Sequence, residues 1–250
     1  MNMFDIVIPV GPHDKDMVHK HVECTKKNII GYRNIYIICY SPIQIDGCIT
    51  IEETIFPFTL DTVSTFHGKT PRNGWYLQQL LKLYAGTIIP GILDRYLVID
   101  ADTFFLRPIT FVDDTRCLYN YGSEHHAPYF EHMLRVDAEL TKVDATKSGI
   151  CHHMMFETRY VNELITKIET QHNDRFYNVF LQSVSESYRN LSGASEYEIY
   201  FNYMLRNHRD RIVLRKLQEG VDYHSDHWYN RAKKSRPLFP IRNRGQSPAF

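Results

Sequence analysis

Three apolar runs in the first hundred residues restrict the fold more than any other feature of the chain. They read FDIVIPV at residues 4–10, NIYIICY at 34–40 and YLVID at 96–100. Each is too short for a typical helix and almost continuously apolar, as expected of strands covered on both faces. Gly11-Pro12 ends the first. A polar segment at 14–28 reads as helix, 49–55 as a third strand, and about 74–84 as another helix. Strands alternating with helices predict an α/β domain with a mainly parallel central sheet flanked by helices. In such sheets ligands gather at the carboxyl ends of the strands.

The second half has a different pattern. Residues 146–156 read as a strand carrying polar side chains. Val161, Leu164, Ile165 and Ile168 stand at helical spacing, as do Tyr197, Tyr200, Phe201, Met204 and Leu205. After Trp228 the chain becomes basic and proline-containing, RAKKSRPLFPIRNRGQSPAF. This divides the chain into one domain over residues 1–230 and an extended tail over 231–250. Lys+Arg and Asp+Glu are both 29, so the formal charge is zero, which argues against a nucleic-acid partner bound by phosphate neutralisation. The five cysteines include no C-x-x-C pair, which disfavours a zinc ribbon or a disulfide scaffold and points to a reducing compartment. The first residues lack the basic start of a signal peptide, and no stretch approaches the ~20 apolar residues of a membrane span. A cytoplasmic protein is the expectation, in the host cytoplasm if the source is viral.

The third apolar run ends on two aspartates, Asp100 and Asp102, in YLVIDADTFFLRP. Carboxylates this close repel, and they stay ionised together only where a cation or water compensates them. Oxygen ligands suit Mg²⁺ or Mn²⁺, and such ions keep open positions for phosphate oxygens. The spacing therefore suggests a metal–diphosphate site; a lone D-x-D also suits a solvated turn at the end of a strand.

Other constellations carry two readings each. In the helix near 74–84, Leu77, Leu80, Leu81 and Tyr84 form one face; Trp75, Gln78, Gln79 and Lys82 repeat the same spacing two residues away, about 200° around the axis. The second face either lines a cleft or is covered by a later loop. His152 and His153 are adjacent, so in a strand one faces the core and the other a cleft. Ser195 and Glu198 form an S-x-x-E capping box, which explains Glu198. Glu196 lies in the first turn of the same helix, where the dipole favours a carboxylate. His224 and His227 are either packing residues or ligands.

The D-x-D context resembles the metal-binding motif of GT-A glycosyltransferases. DIVIPVGPHD, NGWYLQQLLKLYAG, SGICHHMMFE, SEYEIYFNYML and VDYHSDHWYN follow in an order similar to a group of small GT-A proteins from bacteria and large DNA viruses. The likeness covers roughly residues 3–230. It implies a GT-A, Rossmann-like fold that uses Mn²⁺ or Mg²⁺ and a UDP-, GDP- or dTDP-linked sugar donor. A sugar would move to a hydroxyl of a glycan or glycoconjugate, with inversion. In that picture Val10 and Gly11 contact the donor. Arg72, Trp75, Gln78, Gln79 and Lys82 line its cleft. Asp102 holds the metal, with Asp100 nearer the ribose or sugar. His224, with His227 as alternate, completes the metal or diphosphate site. His153, with His152 as alternate, lies on the acceptor side, and Glu196 is the base. The rival readings are a sugar-1-phosphate nucleotidylyltransferase, for which the glycine-rich GxGTR-like loop is missing after the first strand, a silent nucleotide-sugar-binding protein, and a zinc hydrolase.

Overall fold

The apolar runs form the spine of a five-stranded sheet in the computed structural model, which describes residues 3–12 and 14–225. The first half runs β1 (Phe4–Val10), α1 (Val18–Asn28), β2 (Ile29–Ile30), β3 (Tyr32–Cys39), β4 (Ile49–Glu52), α2 (Leu60–His67), α3 (Asn73–Ile88), β5 (Arg95–Ile99) and β6 (Thr103–Phe105). The second half runs β7 (Ile109–Thr110), β8 (Val112–Asp113), β9 (Arg116–Asn120), α4 (Ala127–Val136), β10 (His153–Glu157), α5 (Thr158–His172), α6 (Phe176–Gln182), α7 (Glu196–Asn207), β11 (Ile212–Arg215) and β12 (Tyr223–Ser225). The tail expected at 231–250 lies outside the described residues.

The main sheet has the order β10-β5-β1-β3-β4. All neighbours are parallel except β10, which runs antiparallel to β5 with His153 opposite Ile99. From β1 the chain turns to one side, through β3 and β4, and then returns by α2 and α3 to place β5 on the other side of β1. The strand order therefore reverses between β1 and β5, and the carboxyl ends of these two strands flank the crevice where ligands bind in open α/β sheets. Val10 and Asp100 stand at those two ends. The fold is thus mixed α/β with a mostly parallel central sheet, and no described helix is long and apolar enough to cross a membrane.

Several boundaries differ from the sequence reading. The helix expected from residue 14 begins at Val18, after a turn in which Gly11 N–H donates to Asp14 Oδ2 at 3.1 Å. The strand expected at 49–55 stops at Glu52 and ends in a single 3₁₀ turn, Glu53–Ile55. The strand expected at 146–156 starts only at His153. Before it the backbone presses against α7: a Cβ on Gly149 would lie 2.6 Å from Phe201 Cβ and 2.8 Å from the Tyr197 carbonyl oxygen. The segment's only ladder contact among the described residues is a single antiparallel bridge between Ser148 and Gly122.

The core face of α3 is as expected, with Leu77, Leu80, Leu81 and Tyr84 buried. Its opposite face is not an open cleft wall. Gln79 and Lys82 are buried as well, covered by the start of α7. A helix buried on both sides belongs to the interior, so much of the polar face of α3 spends its hydrogen bonds on protein.

Candidate functional site

The site is assembled where β5 ends. Asp100 follows the last residue of β5, and its N–H donates to the His152 carbonyl at 2.9 Å, which ties the strand end to the residue preceding β10. Asp100 Oδ1 accepts from Lys82 Nζ at 2.5 Å and from the Tyr197 hydroxyl at 2.8 Å; Oδ2 pairs with His152 Nδ1 at 3.2 Å. Lys82 also donates to Glu196 Oε1 at 2.7 Å and lies 4.5 Å from the centroid of the Tyr197 ring. Four elements thus converge on one carboxylate: β5, α3, α7 and the turn into β10.

Asp102 lies one residue beyond the turn. No hydrogen bond reaches its carboxylate among the described residues, and it is half-buried. Asp100, Asp102 and His152 each offer one ligand atom, and these atoms lie within 4.8 Å of one another. Two carboxylate oxygens and one imidazole nitrogen form a donor set that suits a hard or borderline divalent ion. Mn²⁺ or Mg²⁺ therefore fits the residues present.

The electrostatics divide the two aspartates. Burial works against the Asp100 charge, but Lys82 and His152 outweigh it and hold the carboxyl far below its ordinary range. At Asp102 burial and the neighbouring Asp100 both disfavour ionisation, and the pKa is pushed up to about 6. For Lys82, burial is outweighed by Asp100 and Glu196, which keep the ammonium charged. Burial raises the Glu196 carboxyl despite Lys82. His152 remains basic above its ordinary value because the bond to Asp100 and the nearby charges overcome burial.

His152 has φ +60°. Left-handed backbone costs a side-chain-bearing residue ~1–2 kcal/mol. Here it turns the imidazole toward Asp100 while the next residue enters β10. The expectation of His153 on the acceptor side is corrected by this geometry. His153 is 2 % exposed, among the rings of Phe105, Phe111 and Tyr223, and burial lowers its pKa to about 3. Its alternate, His152, is the histidine at the site, and it joins the acid cluster.

The remaining expected residues separate into two groups. Val10 and Gly11 lie at the carboxyl end of β1, and Gln78 Nε2 donates to the Pro9 carbonyl beside them at 3.4 Å. Gln79 Oε1 accepts from Glu196 N–H at 3.1 Å and so holds the first turn of α7. Arg72 and Trp75 are elsewhere engaged. Arg72 donates to Ser192 Oγ and to the Leu191 carbonyl, and Trp75 stacks on Tyr129 about two turns of α3 away from Lys82. His224 sits on β12 opposite Phe104 and is not one of the three clustered ligands. His227 lies outside the described residues.

Glu196 is drawn into the network through Lys82, and at 3 % exposure it is closed beneath that residue rather than facing a cleft. That corrects the picture of a carboxylate accessible to an acceptor hydroxyl. The capping box is half formed. Ser195 Oγ accepts from Glu198 N–H at 3.2 Å, whereas the Glu198 carboxylate accepts from Ser148 Oγ and Asn202 Nδ2 instead of reaching back. The sequence reading places Tyr197 on a helical face but gives it no part in the site. It belongs to an apolar helical stripe, and only its hydroxyl betrays a second use.

These features define a mixed α/β protein with an acid–histidine cluster at the switch point of its sheet. Residues 24–235 match the family described as "Family of unknown function (DUF6492)", and the chain belongs to that family. No curated protein matches it.

Proposed function

We propose that this protein is a metal-dependent glycosyltransferase that moves a sugar from a nucleotide diphosphate donor to a hydroxyl of a glycan or glycoconjugate. One observation carries the reading: Asp100, Asp102 and His152 cluster within 4.8 Å at the end of β5, next to the end of β1, where the strand order reverses. That crevice is where an open α/β sheet receives a nucleotide. The likeness of the D-x-D context to GT-A enzymes selects sugar transfer among the nucleotide chemistries.

Asp102 and His152, with a share of Asp100, would hold Mn²⁺ or Mg²⁺. When bound, such an ion neutralises the departing diphosphate. The chain's own residues prepare the place. Lys82 and Tyr197 fix Asp100, the turn after β1 presents the Gly11 backbone to the donor, and His152 is locked by its unusual backbone. The reading includes inversion at the anomeric carbon, checked by NMR of the product.

Thermal unfolding with UDP-, GDP- and dTDP-sugars, each with and without Mn²⁺, tests the proposal. A ligand at one hundred times its Kd adds ~2.7 kcal/mol, about 5–10 °C for a chain of this size. A metal-dependent shift with one nucleotide class is the expected result; no shift with any of them sinks the reading. A second reading, a nucleotide-sugar-binding protein without turnover, gains support from the burial of Glu196, which leaves the expected base without access. Release of nucleotide diphosphate over hours separates the two.

A further inference from the structure

We infer that Glu196 is a positioning residue that acts through Lys82 to keep Asp100 negative enough to bind a divalent cation. The inference rests on the reading that the Asp100–Asp102–His152 cluster is a cation site, and it replaces the base role for Glu196 with an electrostatic one.

The argument starts from Lys82. Its ammonium is 3 % exposed and cannot be screened by bulk water. It touches Asp100 at 2.5 Å. An ammonium devoted to Asp100 alone would cancel that carboxylate and repel any second cation brought to it. The structure supplies a second carboxylate, as buried as the ammonium, on the same nitrogen: Glu196 at 2.7 Å. Asp100, Lys82 and Glu196 together carry one net negative charge; with His152 neutral, as a metal ligand must be, Asp102 brings the site to two, equal and opposite to a divalent cation.

Placement favours this role over the others. Glu196 opens α7, its N–H is taken by Gln79, and its side chain is directed at Lys82. Tyr197, the next residue, shares Lys82 with Glu196, its ring lying under the ammonium, and its hydroxyl donates to Asp100 Oδ1. Two consecutive residues of one helix turn thus hold Lys82 between Asp100 and Glu196. A surface carboxylate serving only the helix dipole has no need of a buried partner.

The test is binding of Mn²⁺ alone, read as loss of the free-ion EPR signal. Glu196→Gln keeps the shape and the hydrogen bond to Lys82 but removes the charge, and it should weaken Mn²⁺ binding by roughly tenfold or more. Glu196→Asp, which keeps the charge, should recover part of that loss. The double variant Lys82→Gln/Glu196→Gln removes one charge of each sign. It should bind Mn²⁺ within about threefold of wild type, and it keeps the proposal open to refutation if Glu196→Gln alone fails to fold. A folded Glu196→Gln variant with wild-type Mn²⁺ affinity overturns the inference. So does a double variant weakened beyond about tenfold. Wild-type protein that binds no Mn²⁺ overturns the cation-site reading along with it.

Discussion

Both edges of the central sheet bury carboxylates, and they treat them in opposite ways. At the amino edge, Asp5 of β1 is fully buried and accepts four hydrogen bonds: Arg33 Nε at 3.1 Å and Nη2 at 2.6 Å, Asn34 N–H at 3.0 Å and Leu93 N–H at 2.8 Å. Glu157, at the same edge on β10, lies between Arg95 and Arg159. At the carboxyl edge the partners are a lysine, a tyrosine and a histidine, and Asp102 receives no hydrogen bond among the described residues. Guanidinium is planar, permanently charged and matched to a carboxylate, so it closes a site. Lysine and histidine hold a carboxylate while leaving lone pairs available. The difference separates a lock that fixes the loops below the sheet from a cluster with room for a ligand above it.

Substitutions at the two edges can break or sharpen that contrast. Asp5→Ala should have the largest effect, about 3–5 kcal/mol of lost stability, because it leaves two backbone N–H groups without their acceptor and removes the partner of a partly exposed guanidinium. Urea unfolding reads the loss, and Mn²⁺ binding to the folded fraction should stay at the wild-type level. A neutral outcome would erase the claimed distinction.

Asp102→Asn should do the reverse. Mn²⁺ affinity should fall by about a hundredfold, equivalent to ~2.7 kcal/mol, while the metal-free protein becomes more stable by ~3 kcal/mol above pH 7, about two pKa units at ~1.36 kcal/mol each. The sign follows from the folded-state pKa of about 6, above the usual aspartate value. The folded state binds this proton more tightly than the unfolded chain does. Wild-type stability linked to Asp102 is therefore present below about pH 4 and is lost as pH rises through 6. The advantage of Asp102→Asn should vanish at pH 4 and reach its plateau above pH 7, as read from thermal melts in EDTA. An advantage that does not vary with pH would mean that Asp102 is not the strained carboxylate.

Glu198→Ala sharpens the comparison within α7 itself, with the smallest effect. Glu198 sits two residues from Glu196 but bonds to Ser148 and Asn202, away from Lys82. Its loss should cost about 1–3 kcal/mol of stability and leave Mn²⁺ affinity unchanged. Equal effects of Glu196 and Glu198 substitutions on Mn²⁺ would dissolve the distinction between them.

The amino-acid sequence by itself determined the parts that depend on local pattern. Continuous apolar runs marked β1, β3 and β5, because a strand covered on both faces has no polar alternation to disguise it. The D-x-D at the end of β5 was legible for the same reason: the apolar run stops there, so the aspartates stand at the strand's exit. The core face of α3, the amphipathic stripe of α5 and the apolar positions of α7 followed from helical spacing.

Tertiary structure decided what each polar group faces. Lys82 and Glu196 are 114 residues apart, and Asp100 and His152 are 52 apart. Neither separation leaves a periodic trace in the sequence. The polar face of α3 could line a cleft or lie under a later segment, because its spacing cannot reveal that α7 covers part of it. The choice between His152 and His153 turned on a backbone angle, φ +60° at His152, imposed where the chain passes α7 and enters β10 beside β5. Local pattern places carboxylates at the end of a strand. Whether a carboxylate is closed by a guanidinium, shared with an ammonium or left open is settled by distant segments, because burial and Coulomb interactions act through space rather than along the chain.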